Sequence, residues 1–533
     1  VPAHALSAWL DRVILPAAVI AAPALVVSAV LAFQLHGTIL DCVPHRNDLH
    51  LTDEVHYWNE INSFAHVGLR SGYFVADERP ARASWTPFGP HGPGFPVAYG
   101  SLARLVGWQE ASGPVFNAAL LTAGAAFWLA CCRLDRRRLI TALFLLGSYW
   151  PCLLWMPATM QESFHCALAF ALAGLAHPWL SGRTTSLRWI WPFLIVAALA
   201  ALTRVSWALA MIPWLCVVAG GVPVRMRWLV SGVVVAAVAA LAWCWQYITS
   251  PFPNTLRSML SLVSQAPDMA FWTLLWRVQN ANVEFLSFRS AKPLEVLQRY
   301  EACALVVVCA WMATRRAPAE RRPFVFACLN VVLVAGLVIS VPHIGDWQDH
   351  RVLGPQILLS LLVILSAGDW RLAAALAGLN LLFLPVFLGQ FREFHQNRVE
   401  PDVEKIATFR AEIAPHLRYD PAASAWDNTL LVPVASQSYP MLALPPGIGL
   451  SFVVEATDLR SPIESRYVLV PPRPSGPWPG SEIRPAPARG GPKEFMLVAP
   501  RNAGEPTRLR LLAETSVGNL YLNLSRARAD DGR

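Results

Sequence analysis

The sequence has 533 residues, 55% of them hydrophobic and only 15% charged, with a formal net charge of +8. An average soluble domain carries about 25% charged residues. The shortfall here excludes an ordinary soluble fold, because the charges gather in short clusters between long apolar runs. The positive balance reads as a topology signal: its arginines sit on alternate connections, so no nucleic-acid partner is expected.

A hydrocarbon core about 30 Å thick takes roughly 20 apolar residues as a helix. Runs of that kind predict membrane spans at 13–35, 113–132, 139–156, 164–180, 189–203, 205–221, 228–247, 300–314, 324–341, 352–367 and 370–390. The first run exceeds a signal-peptide core and no A-x-A site precedes Asp41, so it is expected to remain as an anchor. Arg133, Arg136, Arg137 and Arg138 follow the second span, Arg183 and Arg188 the fourth, and Arg225 and Arg227 the sixth. Arg315, Arg316, Arg321 and Arg322 follow the eighth, and Arg371 opens the last. Every cluster falls on an even-to-odd connection, which the positive-inside rule makes cytoplasmic. Eleven spans then leave the N-terminus inside and the C-terminus outside.

Three external pieces exceed simple turns: 36–112, 248–299 and the tail 391–533. The expected organisation is an all-α polytopic membrane domain over 1–390, followed by an external, mostly β domain over 391–533. The tail opens with a predicted helix from Pro401 to Leu417, apolar at Val403, Ile406, Phe409 and Ile413. Predicted strands follow at Leu430–Ala435, Leu450–Glu455, Tyr467–Val470, Glu494–Val498, Arg508–Ala513 and Asn519–Leu524, separated by Pro-laden stretches. Nearly all ten cysteines lie in or beside apolar runs and the tail has none, so no disulfide framework is expected.

The first external loop reads LTDEVHYWNEINSFAHVGLRSGYF from Leu51. Its spacing predicts an amphipathic helix on the membrane surface, with Trp58 and Phe64 at headgroup depth and Asp53 and Glu54 at its mouth. Acids in a first helical turn commonly do no more than complement the helix dipole. Their neighbours give this pair weight. A rigid Pro/Gly segment, Trp85–Pro96, holds His91 close to the membrane. Glu162 stands at the outer start of the fourth span, and glutamate snorkels poorly. Arg204 interrupts an apolar run on the same side, Arg257, Arg289 and Lys292 lie in the second loop, and His343, His350 and Arg351 precede the tenth span. Singly each reads as a solvated side chain. Together they ring a surface that bears two acids, an arrangement suited to a lipid phosphate. Asp53 and Glu162 are candidates to hold a divalent cation, Mg²⁺ or Mn²⁺, which typically joins one or two carboxylates to substrate phosphates. Zinc is disfavoured, because no H-x-x-x-H pair or Cys partner of recognised spacing occurs.

These residues resemble the GT-C superfamily, polytopic glycosyltransferases that use polyprenyl-phosphate sugars and include lipid A aminoarabinose transferases and protein O-mannosyltransferases. Asp53-Glu54 is similar to its acidic signature after the first span, and Glu162 to a second acid on the next external loop. Gly72-Tyr73-Phe74 with HGPGFP looks like the Y-F…K-P-P segment, with His91 where a phosphate-binding Lys often stands. Leu202-Thr203-Arg204 looks like its L-T-R turn, and Arg351-Val352-Leu353-Gly354-Pro355 like its R-Y-L-x-P motif. The resemblance implies sugar transfer from a polyprenyl-phosphate donor to a hydroxyl of a cell-envelope acceptor at the outer face. In that reaction Asp53 would be the base and Glu54 its outward alternate, with His91, Arg204, Arg351, His350 and Lys292 on the donor phosphate. No nucleotide is needed, and no G-x-x-x-x-G-K-[ST] motif occurs. Arginine outnumbers lysine 40 to three, as in GC-rich genomes, a hint towards bacteria; with the topology and the resemblance, the expected location is a bacterial inner membrane with the tail in the periplasm. The rival readings are a flippase for lipid-linked sugars, which would bind at mid-membrane through internal repeats that this sequence lacks, and a lipid-binding envelope scaffold.

Reporters fused after Arg138 and Arg322 should read cytoplasmic, and fusions within 36–112 or after Gln390 external. A cytoplasmic tail would overturn the span count.

Overall fold

The computed structural model describes residues 10–44, 52–69, 76–77, 85–89, 92–184, 186, 190–218, 223–249, 263–273, 275–276, 293–340, 349–396, 403–432, 438–452, 463–470, 482–486, 493–498 and 506–526. The chain forms two compact units. One comprises Val1–Cys42, Ala111–Trp245 and Pro253–Val399; the other comprises Val43–Glu110, Gln246–Phe252 and Glu400–Arg533.

The first unit is helical. Helix occupies all eleven segments predicted to span, but fewer are built to cross a bilayer alone. Among the described residues five helices are long and apolar enough: Asp11–Leu35, Ser112–Cys132, Gln161–Leu180, Val224–Trp245 and Pro293–Arg315. A sixth span results if Trp370–Leu382 and Leu384–His395, bent by 58°, count as one. The remaining apolar helices, such as Ile190–Ala201, are shorter. At 1.5 Å per residue twelve residues reach about 18 Å, well under the hydrocarbon thickness. The predicted span 139–156 is divided into Arg136–Ser148 and Trp150–Trp155 by an extended Tyr149, with Pro151 opening the second piece. Proline suits a first helical turn, where its missing N–H has no partner to lose.

Small residues bring backbones together in this unit. A Cβ on Gly124 would stand 3.1 Å from the Ala167 carbonyl, and one on Gly174 3.1 Å from the Phe127 ring. The Ser112–Cys132 and Gln161–Leu180 helices are therefore closely apposed, as small-residue interfaces allow. Val224–Thr249 instead exposes Trp228, Leu229, Val233 and Leu241, an apolar surface suited to lipid.

The second unit is built on a mixed sheet. Its strands are β1 (Ala76–Asp77), β2 (Thr429–Leu431), β3 (Gly449–Phe452), β4 (Tyr467–Val470), β5 (Glu482–Pro485), β6 (Glu494–Val498), β7 (Thr507–Glu514) and β8 (Asn519–Asn523). They lie in the order β1-β3-β2-β4-β8-β7-β6-β5. Pairing is parallel from β1 to β4 and antiparallel from β4 to β5. The middle of the sheet is buried on both faces. Side chains alternate along a strand, so Leu430, Leu450 and Leu469 enter one apolar cluster while Leu431, Val468 and Leu509 enter another.

The first of these clusters also takes Val55, Trp58 and Phe64 from helix Thr52–Val67 and Ile406, Phe409 and Ile413 from helix Val403–Ile413. This corrects the membrane-surface reading of the loop helix: Trp58 and Phe64 are 3% and 6% exposed inside a protein core. Compactness thus groups the first loop with the tail rather than with its sequence neighbours. Strands β4 and β6 have the predicted bounds and β7 and β8 differ by a residue at their ends. The ends Ala435 and Glu455 of the two earlier predicted strands lie outside the described residues. Strands β1 and β5 escaped prediction, being short and containing Asp, Glu or Pro, which strands disfavour.

Gly124→Val should destabilise the helical unit by about 1–3 kcal/mol, because the Ala167 backbone cannot yield. Gly378→Ala, where a Cβ meets open space, should stabilise it by about 0.5–1 kcal/mol. Thermal unfolding in detergent checks both; equal effects would refute the close apposition.

Candidate functional site

The site of the helical unit begins with the turn before helix Gln161–Leu180. Buried Asn117 donates its side-chain amide to the carbonyls of Trp155, Met156 and Ala158, at 3.4, 3.1 and 2.6 Å. One side chain thereby ties together three carbonyls of the irregular turn. The turn delivers Glu162 into the first turn of the helix, where a carboxylate complements the helix dipole.

Two arginines converge on this carboxylate. Nε of Arg351 donates to Oε1 of Glu162 at 2.7 Å, and Nη2 of Arg204 donates to the same oxygen at 3.0 Å. Arg204 also donates through Nη1 to the Arg351 carbonyl. The side chains of Glu162, Arg351 and Arg204 are 2%, 5% and 14% exposed, so this is a buried cluster of two cations and one anion. Arg204 is extended, at the junction between Ile190–Ala201 and the 3₁₀ turn Val205–Ala210, and Arg351 lies in the first turn of Asp349–Ala367. The Arg351 guanidinium also lies 5.7 Å from the Trp155 ring centroid.

One helical turn below, Nε1 of Trp207 donates to Nδ1 of His165 at 3.0 Å, and Nε2 of His165 lies 3.3 Å from Oε1 of Gln161. An indole N–H only donates, so Nδ1 is bare and the proton sits on Nε2. His165 therefore adds no charge to the cluster. Oε2 of Glu162 has no hydrogen-bond partner among the described residues. The arrangement can hold an anion, with two guanidinium groups facing it and a carboxylate oxygen free to accept a hydroxyl.

The acids of the second unit lie on helix Thr52–Val67. Asp53 is half-buried, whereas Glu54 is fully buried. This reverses the expected exposure: Glu54 shares the inward face with Tyr57, Trp58 and Ile61, at helical spacing. A third acid was missed. Glu60 is 2% exposed, and its Oε1 accepts the Gly89 N–H at 2.8 Å. The Pro/Gly segment thus gives a backbone donor to an acid two turns beyond Asp53. The i, i+7 spacing was a legible signal, since it places both acids on one face. Burial pushes Glu60 well above the usual carboxylate range, the Gly89 N–H opposes that shift, and the charge of Asp53 adds to it.

Of the predicted site residues, the structure brings Glu162, Arg204 and Arg351 together. His91, Lys292, Arg257, Arg289 and His343 lie outside the described residues, as does the side chain of His350. Among the described residues no three His, Cys, Asp or Glu side chains gather as metal ligands. Glu162 does not fit a divalent cation, because its Oε1 already takes two guanidinium groups whose charge would repel one.

Glu60 generates a pH dependence. Between about 4.5, its ordinary value, and its raised folded value, the folded chain holds a proton that the unfolded chain releases. Stability is therefore full below that window and falls as pH rises through it, by up to about 1.4 kcal/mol per pH unit. Glu60→Gln keeps an acceptor for Gly89 and should flatten this slope. Unfolding measured from pH 4 to 9 checks it, and an unchanged slope would assign the dependence elsewhere.

No known family profile matches the sequence, and no curated protein matches it. Two solved structures are similar to it. One is the oligosaccharyltransferase AglB from Archaeoglobus fulgidus in complex with an inhibitory peptide and a dolichol-phosphate, at 13% identity and a TM-score of 0.43. That match covers 81% of this chain, which spans only 64% of that one. The other is ArnT from Cupriavidus metallidurans bound to undecaprenyl phosphate, at 14% identity and a TM-score of 0.44, covering 93% of this chain and 97% of that one. No residue role follows from likenesses at this level.

Proposed function

We propose that the chain is a membrane glycosyltransferase that moves a sugar from a polyprenyl phosphate to a hydroxyl of a cell-envelope acceptor, at the outer face of a bacterial inner membrane. The observation that carries this reading is the buried Glu162–Arg204–Arg351 cluster, in which two guanidinium groups are held at one place. Guanidinium forks fixed in this way suit the oxygens of a lipid phosphate.

In the proposed reaction the acceptor oxygen bonds to the sugar's anomeric carbon while the bond from that carbon to the phosphate oxygen breaks. The electron pair leaves with the polyprenyl phosphate, whose charge rises from one to two. The two arginines stabilise that increase, as fixed donors do for developing charge. The acceptor's proton passes to a base. Asp53 takes this role through its match to the acidic loop signature and its partial exposure, with Glu54 as alternate. The donor's own phosphoester supplies the energy, and no step uses a metal at Glu162.

Asp53→Asn should leave the fold intact and lower turnover by about 10²–10⁴-fold. Arg204→Gln and Arg351→Gln should instead mainly raise the apparent KM for donor, about tenfold or more. The check is sugar release from a labelled polyprenyl-phosphate donor by the purified full chain, with folding monitored by circular dichroism. Normal turnover in Asp53→Asn with loss in Glu54→Gln would exchange the two roles. Labelled donor that crosses vesicles without transfer would replace this reading with the flippase.

A further inference from the structure

The helical unit has a second charged feature, at the end of the bundle away from Glu162. Glu162 and Arg351 open the helices Gln161–Leu180 and Asp349–Ala367. The last residues of the same two helices, Leu180 and Ala367, line a cavity of about 420 Å³. Eighteen residues of helix separate Glu162 from Leu180, about 27 Å at 1.5 Å per residue, which is close to one hydrocarbon thickness. The cavity and the Glu162 cluster therefore lie near opposite membrane faces.

Arg138, Arg316 and Arg371 line this cavity, with Trp370 beside them. Arg138 belongs to the wall: it donates to the carbonyls of Ser366 and Gly368 at 2.6 and 3.4 Å. Arg316 forms two loose ion pairs, with Asp369 at 3.8 Å and Glu320 at 3.9 Å, both longer than hydrogen bonds. Arg371 has no ion-pair partner among the described residues. The two acids leave the lining net positive. Arg133, Arg137, Arg183, Arg321 and Arg322 lie on the same connections and add to the field.

We propose that this cavity binds a phosphate-bearing anion, the headgroup of an anionic phospholipid in the leaflet at the arginine-rich end. A phosphodiester offers paired oxygens to the guanidinium forks of Arg316 and Arg371. Basic pockets between helix ends favour such headgroups, and Trp370 is suited to the interfacial depth. A choline headgroup would bring a cation among the arginines, so the site discriminates by charge.

The test uses the purified full chain in dodecyl maltoside, titrated with dioleoylphosphatidylglycerol or dioleoylphosphatidylcholine and read by native mass spectrometry and thermal unfolding. Phosphatidylglycerol should be retained at a concentration roughly 10- to 30-fold lower than phosphatidylcholine. Arg316→Gln with Arg371→Gln should bring the two lipids within about threefold of each other. Arg225→Gln with Arg227→Gln, which removes as much charge from a connection outside the cavity, should keep the preference. Inorganic phosphate at millimolar concentration separates the sources. If it leaves phosphatidylglycerol bound, the ligand is the lipid; if it displaces the lipid and stabilises only the chain with intact Arg316 and Arg371, the cavity takes free phosphate. No preference between the lipids together with no phosphate effect would overturn the site, and so would a preference that survives loss of both cavity arginines.

Discussion

Glu162 accepts hydrogen bonds from two guanidinium groups within a space almost closed to water, and one end of the helical unit is arranged around that contact. Each ion alone would carry a desolvation penalty of several kcal/mol. Together they tie the start of Gln161–Leu180, the junction at Arg204 and the start of Asp349–Ala367 into one constellation. Two guanidinium groups thus share one carboxylate oxygen, and the contact braces three elements at once.

The supports around the cluster follow the same logic. Asn117 spends its amide on three carbonyls of the preceding turn, and Trp207 fixes the tautomer of His165. Neither group carries charge into the cluster. The two guanidinium groups remain the source of positive field. At the other end of the same helices Arg138 plays a comparable structural part, its donors turned onto helix-end carbonyls, which leaves neighbouring arginines to face the cavity.

Much of this was legible in the sequence. Glu162, Arg204 and Arg351 stand out as charges that interrupt or border apolar runs, and their side chains do meet. That Arg351 meets an acid 189 positions away could not be read, because helix periodicity carries no information about which helix ends converge. The apolar runs of β4 and β6, set between Pro-laden stretches, gave their bounds, whereas β1 contains too few residues for any pattern. The loop helix was recognised as a helix but assigned the wrong surroundings. Its apolar face looks identical whether it meets lipid or protein, and what covers Trp58 and Phe64 comes from residues such as Ile406 and Leu450, far along the chain. The same ignorance of the covering layer hid Glu60, whose polar side chain reads as solvated until its surroundings are known. The division of the third predicted span at Tyr149 reflects Pro151, visible in the sequence but outweighed by the hydropathy around it.

The discontinuous makeup of the second unit has a consequence for biosynthesis. Its first segment ends at Glu110 and its main segment begins at Glu400, so about 290 residues are translated between them. At 5–20 residues per second the ribosome needs roughly 15–60 s to cover that distance. Throughout that interval the helix Thr52–Val67 exists without the sheet that buries it, and Val55, Trp58 and Phe64 have no native partner. The apolar face of that helix gains its native cover only when the strands of the tail are made.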